Sequence, residues 1–63
     1  MSFNENLKKI REENGLTQGE LAEMVGISQP MIAQYEMGIK LPNIVIGKEI
    51  AKKLMCSLDR LAE

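Results

Sequence analysis

Few side chains in this 63-residue chain are able to do chemistry, and their types narrow the options at once. There is no histidine and a single cysteine, Cys56. Disulfide frameworks, Cys/His zinc sites and every histidine-based acid–base arrangement are thereby removed. Nine Asp and Glu residues are present, but no nucleophile–base pair can be assembled from them on short helices that offer no cleft. An enzyme is not expected, nor is a bound metal or cofactor. Cys56 has no resolving partner and no neighbour to activate it, so it reads as a small buried hydrophobe. What is left is amide chemistry: Gln18, Gln29 and Gln34 each donate and accept hydrogen bonds at the same side chain.

These groups must be positioned by a small framework. A chain of this length forms one domain and buries only about 60% of its unfolded surface. Apolar residues make up 44% of it, enough for a single core. Eight Lys and Arg against nine Asp and Glu give a net charge of −1, so there is no basic tail. No apolar run approaches the roughly 20 residues of a membrane span, and the Met1 end lacks a signal-peptide pattern. The expectation is a soluble, cytoplasmic domain spanning residues 1–63.

Gly and Pro divide the chain into about five short pieces. Ser2 and Glu5 have the spacing of a capping box, and Phe3, Leu7 and Ile10 recur as one helical stripe, predicting a helix over about 3–13 that closes at Asn14-Gly15. A second capping box, Thr17 to Glu20, opens an eight-residue helix carrying Leu21, Met24 and Val25 and ending at Gly26. Ser28 caps the next helix, with Pro30 in its first turn, where the missing N–H is not needed, and Gly38 terminates it. Leu41-Pro42 forces an extended step. Asn43 then caps a fourth helix through Leu54 or Met55, with Ile44, Ile50, Ala51 and Leu54 as its inward stripe, and Ser57 starts a last turn bearing Leu58 and Leu61. The fold class is all-α.

Helices below about 12–15 residues are marginal in water, so the second and third must be held by packing. Their link, Val25-Gly26-Ile27, is too tight for an antiparallel hairpin. Gly26 suits a positive φ at the corner, and Ala22 is small enough for the third helix to cross closely. With Leu21, Val25, Ile27, Ile32 and Tyr35 facing inward, this describes a helix-turn-helix.

Thr17 to Glu36, TQGELAEMVGISQPMIAQYE, resembles the helix-turn-helix of the Cro/phage-repressor family of DNA-binding proteins. The similarity extends to LKKIREENGLTQGELA in front and to YEMGIKLP and EIAKKL behind, covering nearly the whole chain. It implies a lambda-repressor-like bundle whose third helix, at about 28–37, lies in the major groove of double-stranded DNA. The positions it assigns to base edges are Ser28, Gln29, Pro30, Met31, Ala33 and Gln34. A Gln amide suits that role, since it meets adenine N7 and N6 together. Phosphate contacts would fall to Gln18 at a helix N-terminus, to Lys40 in the loop and to Asn43, which also serves as an N-cap. Arg11 and Glu36 correspond to a structural ion pair that orients the third helix.

Two departures from the family pattern matter. The loop Gly38 to Pro42 keeps only Lys40 where relatives carry two or three basic residues, so few phosphates are neutralised and a shallow salt dependence is expected. The fourth helix has Gly47 and Lys48 in place of apolar residues, while Val45 and Ile46 are apolar where relatives are often polar. Some of Val45, Ile46, Met55, Leu58 and Ala62 would then form a homodimer interface on a two-fold DNA site. The function expected is that of a sequence-specific regulator, most simply a small repressor. The alternative is a protein-interaction module of the same fold, an antitoxin or accessory subunit, binding another protein through helix four.

Overall fold

Residues 2–62 are described by a computed structural model, in which five helices follow one another and no strand occurs among the described residues. They are α1 (Phe3–Glu13), α2 (Gln18–Val25), α3 (Gln29–Met37), α4 (Ile44–Lys53) and α5 (Leu58–Ala62). Their starts follow local hydrogen bonding. The Glu5 carboxylate accepts from Ser2 N at 3.2 Å and from Ser2 Oγ at 2.8 Å. In α2, Glu20 N donates to Thr17 Oγ1 at 3.0 Å while Thr17 N donates back to the Glu20 carboxylate at 2.8 Å. Ser28 and Asn43 cap α3 and α4 by accepting from Met31 N and Ile46 N. Each cap satisfies one of the N–H groups that the first turn leaves without a partner.

All five helices contribute to one core. Leu7, Leu21, Ile32, Ile50 and Leu61 are fully buried, one from each helix, with Ile10, Ala22, Tyr35, Ala51 and Leu54 around them. A side chain of this size contributes about 1.5–3 kcal/mol when fully buried. Two sequence expectations about the core are corrected. Met24 is 43% exposed: Leu21, Ala22 and Val25 centre the inward arc of α2, and Met24 falls more than a quarter-turn outside it. Ile44 is also exposed, whereas Ile46 is half-buried against the core. Both flank the buried stripe Gly47, Ile50, Ala51 and Leu54, on opposite sides, and only the Ile46 flank is covered. The helix also stops at Lys53, with Leu54 as its C-cap.

Gly47 lies where α5 packs on α4: a Cβ at this position would stand 3.4 Å from Leu58 Cδ1, close to ordinary contact. A glycine inside a helix costs about 1 kcal/mol relative to alanine.

Past the end of α4, Met55 holds a left-handed conformation, φ +56°, and its side chain is 89% exposed. Cys56 N donates to Ala51 O at 2.9 Å across the turn, the closure usually built with glycine. The left-handed backbone costs a residue with a Cβ about 1–2 kcal/mol. Met55→Gly is therefore expected to stabilise the folded chain by about 1 kcal/mol, read as a higher midpoint in urea unfolding. A lower midpoint would mean that the Met55 side chain contributes packing that its exposure conceals.

Candidate nucleic-acid interface

The α2–α3 corner is set by Gly26, at φ +86°, whose N–H donates to Ala22 O at 2.8 Å while Ile27 N donates to the same carbonyl at 3.0 Å. Ala22 and Ile32 are buried at the crossing. The turn brings the N-termini of α2 and α3 side by side, and there the two glutamine side chains meet: Gln29 Nε2 donates to Gln18 Oε1 at 2.7 Å. Gln18 Nε2 donates in turn to Glu36 Oε1 at 3.0 Å.

Glu36 is where three helices are tied together. Arg11 Nε lies 2.6 Å from Glu36 Oε2 and Arg11 Nη2 lies 3.1 Å from Oε1, a two-point grip with both residues buried. Hydrogen bonding to Glu36 holds the Arg11 guanidinium above its ordinary pKa, against the opposing effect of burial. Its third contact, Arg11 Nη1 to Leu16 O at 2.6 Å, satisfies a carbonyl in the α1–α2 link. Asn4 Nδ2 donates to Glu36 O at 3.4 Å, so the first turn of α1 also reaches the C-terminal turn of α3. Arg11 and Glu36 thus meet as a structural pair that sets how α3 leans on α1.

The six positions assigned to base edges divide by exposure. Ser28, Gln29 and Pro30 are exposed on the first turn of α3, Ala33 and Gln34 are half-buried, and Met31 is half-buried with its side chain packed against the core. Ser28 uses its oxygen as the cap of Met31 N and keeps its hydroxyl proton free to donate. Of the three phosphate candidates, Lys40 is exposed in the loop after α3, and Asn43 caps α4 through Oδ1, which leaves its N–H₂ free. Gln18 is half-buried with both ends engaged, at Glu36 and at Gln29, so one N–H remains for an outside partner. The sequence pattern assigned Gln18 and Gln29 separately and missed their bond. Their spacing of eleven, one on each side of a helix-turn corner, was the available signal.

A family model described as helix-turn-helix matches residues 7–61. The chain belongs to the helix-turn-helix family, of the Cro/phage-repressor type. Its structure superposes on the P22 c2 repressor, solved in complex with a synthetic operator, with a TM-score of 0.95 and 30% identity, over 100% of this chain and 96% of that one. By sequence it is 41% identical over 59 residues to the HTH-type transcriptional regulator YqaE of Bacillus subtilis (strain 168), covering 94% of this chain and 51% of that protein. It is 38% identical over 61 residues to the HTH-type transcriptional activator BcrR of Enterococcus faecalis, covering 97% of this chain and 30% of that protein. The chain thus spans about half of the first of these regulators and under a third of the second.

This helix-turn-helix domain also carries an apolar surface away from α3. Val45, Met55 and Ala62 are exposed, whereas Ile46 and Leu58 are half-buried, one against the core and the other over Gly47. Leu41 and Ile44 are also exposed, at 76% and 65%. They border a groove of about 340 Å³ that Phe3, Pro42, Leu58 and Ala62 also line. Cys56 packs half-buried against the core, and burial pushes its thiol pKa up, the reverse of what a reactive cysteine needs. No helix is long and apolar enough to cross a membrane among the described residues.

Proposed function

We propose that this domain is a sequence-specific regulator that reads double-stranded DNA in the major groove with α3 and acts as a small repressor. The observation that carries this reading is the exposed first turn of α3, where Ser28, Gln29 and Pro30 project beside the N-terminus of α2. Gln29 and Gln34 supply the base contacts, with Ser28, Pro30 and Ala33 close to the bases. Met31 contributes the edge of its side chain, and Gln18, Lys40 and Asn43 hold phosphates. Support comes from the operator-bound P22 c2 repressor, which shares the whole architecture.

Selection of duplexes from a random pool at roughly 50–100 mM salt tests this directly, since phosphate contacts weaken as salt rises. Enrichment of a defined site supports it, and Gln29→Ala should then cost about 1–3 kcal/mol at one base position only. Lys40→Ala should weaken all sequences alike and reduce the slope of log K against log salt by about 0.9. A folded protein that enriches nothing overturns the reading.

We further infer a homodimer. The domain measures 24 × 23 × 20 Å, less than the roughly 34 Å between successive half-sites, so two copies fit on one face of the duplex without overlap. Val45, Met55 and Ala62, with Ile46 and Leu58 at their margin, offer the apolar contact. A monomeric mass in sedimentation at high micromolar concentration would sink the dimer. The exposed Leu41 and Ile44, which border one apolar groove at the start of α4, also favour a second reading, a module that binds another protein through that helix. A failed DNA selection brings that reading to the front.

A further inference from the structure

We propose that Asn14-Gly15 is a covalent modification site, where the chain deamidates itself when the last turn of α1 opens and is shielded while that turn is closed. The chain has four asparagines, and Asn14 alone is followed by glycine; Asn4, Asn6 and Asn43 precede Glu5, Leu7 and Ile44. The chemistry needs no partner but water. The Gly15 nitrogen attacks Asn14 Cγ and the new C–N bond closes a five-membered imide ring. The side-chain nitrogen leaves as ammonia, taking up the Gly15 proton. Water then adds to either ring carbonyl and breaks its bond to the Gly15 nitrogen, giving aspartate or isoaspartate. Glycine favours ring closure because no Cβ crowds its nitrogen.

In the folded chain each reacting group is held elsewhere. Asn14 is the C-cap of α1, at φ −87° and ψ 1°. At that ψ the Gly15 nitrogen eclipses the nitrogen of Asn14 itself, whereas ring closure requires it to eclipse Cβ. The Gly15 N–H donates to Glu12 O at 2.9 Å, and Asn14 Nδ2 donates to Ile10 O at 2.8 Å. Both residues are exposed, so water is not what the fold withholds. All three restraints belong to one helix end and are lost together when it opens, and such local openings cost less than unfolding the core.

After reaction the turn cannot close as before. Aspartate has no N–H for Ile10 O. It also adds a negative charge at the C-terminal end of α1, where the helix dipole is already negative and Glu12 and Glu13 stand next in the chain. Isoaspartate routes the main chain through the former side chain and lengthens the α1–α2 link by one carbon. Leu16 follows directly: its O accepts from Arg11 Nη1 at 2.6 Å and its N donates to Arg11 O at 3.2 Å. The change therefore reaches the Arg11–Glu36 pair through Arg11. Copies that have opened carry a permanent mark, and the mark makes them open more readily.

The test incubates the purified chain folded in buffer and unfolded in guanidinium chloride, at one pH and temperature, and follows each asparagine by peptide mass spectrometry and isoaspartate-specific methylation. Asn14 is expected to be the first asparagine modified in denaturant, and to react at least about tenfold more slowly in the folded chain. Gly15→Ala should slow the reaction in denaturant about tenfold, because its Cβ crowds the attacking nitrogen; this variant needs no fold to be read. Chains carrying isoaspartate at position 14, separated and returned to buffer, should show a lower urea midpoint than unmodified chains, or no folded state at all. Rates within about twofold of each other in buffer and denaturant would show that the fold does not shield the site, and would overturn the inference. So would another asparagine reacting first, an Ala variant as fast as the wild type, or a modified chain with an unchanged midpoint. None of these outcomes bears on the DNA reading, which is tested separately.

Discussion

Arg11→Ala is expected to remove a large part of the domain's stability. The guanidinium is only 7% exposed and makes three short hydrogen bonds, two to the Glu36 carboxylate and one to Leu16 O. Truncation leaves a buried carboxylate with Gln18 as its one remaining side-chain donor. Breaking a buried pair in this way costs about 3–5 kcal/mol. A domain of this length has roughly 3–9 kcal/mol of stability in total, so the loss is a large fraction of it. The same physics predicts that Arg11→Met with Glu36→Leu recovers much of the stability, because the desolvation cost of both charges disappears together. Urea unfolding of the single and double variants checks both statements. An Arg11→Ala protein with an unchanged midpoint would show that the pair does not hold α3 in place.

Leu61→Ala has the second large expected effect. Leu61 is fully buried, yet it sits on a helix of only five residues that has no stability of its own. The two buried attachments of α5 are the Leu61 side chain in the core and the bond from Asn6 Nδ2 to Leu61 O at 3.1 Å, with Leu58 over Gly47 and the exposed Arg60–Glu13 pair beside them. Removing the side chain costs about 2–5 kcal/mol. It also releases α5, so Asn6 and Leu7 gain contact with water. Hydrogen exchange should show this as lost protection in α5 and the middle of α1, with α2 and α3 the slowest to exchange. Uniform loss across all helices would mean instead that α5 unfolds only with the whole domain.

Much of this architecture was legible residue by residue. The capping boxes at Ser2 and Thr17, Pro30 in a first turn and Gly26 at a corner are local signals, and local hydrogen bonding decides helix starts whatever the rest of the chain does. The range of α1 and the caps of α2 to α4 follow from them. Facing directions near helix ends were not legible. Ile44 and Ile46 lie about equally far from the centre of the α4 stripe, and only the position of the neighbouring elements selects Ile46 for burial. That Leu58 of α5 packs over Gly47 of α4 is likewise set by how the two helices meet, not by either helix alone. At the candidate interface, the resemblance supplied Arg11 and Glu36 as a pair but Gln18 and Gln29 one at a time, with no bond from either to Glu36 or to the other. The hydrogen bonds that join them run between α1, α2 and α3, and no periodicity within a single helix encodes them.

The bond from Asn6 to Leu61 O joins positions 55 residues apart, and this has a consequence for how the protein is made. A ribosome adds roughly 5–20 residues per second, so once Asn6 has been synthesised its partner follows only after about 3–11 s. Once Glu36 has been made, Arg11 can join α1 to α3, while the α5 side of α1 has nothing to cover it until Leu61 follows. This part of the nascent chain is at its most adhesive just before α5 docks. Substitutions that loosen α5 should accordingly reduce the amount of protein recovered from cells before any change is measurable in the folded molecules that survive.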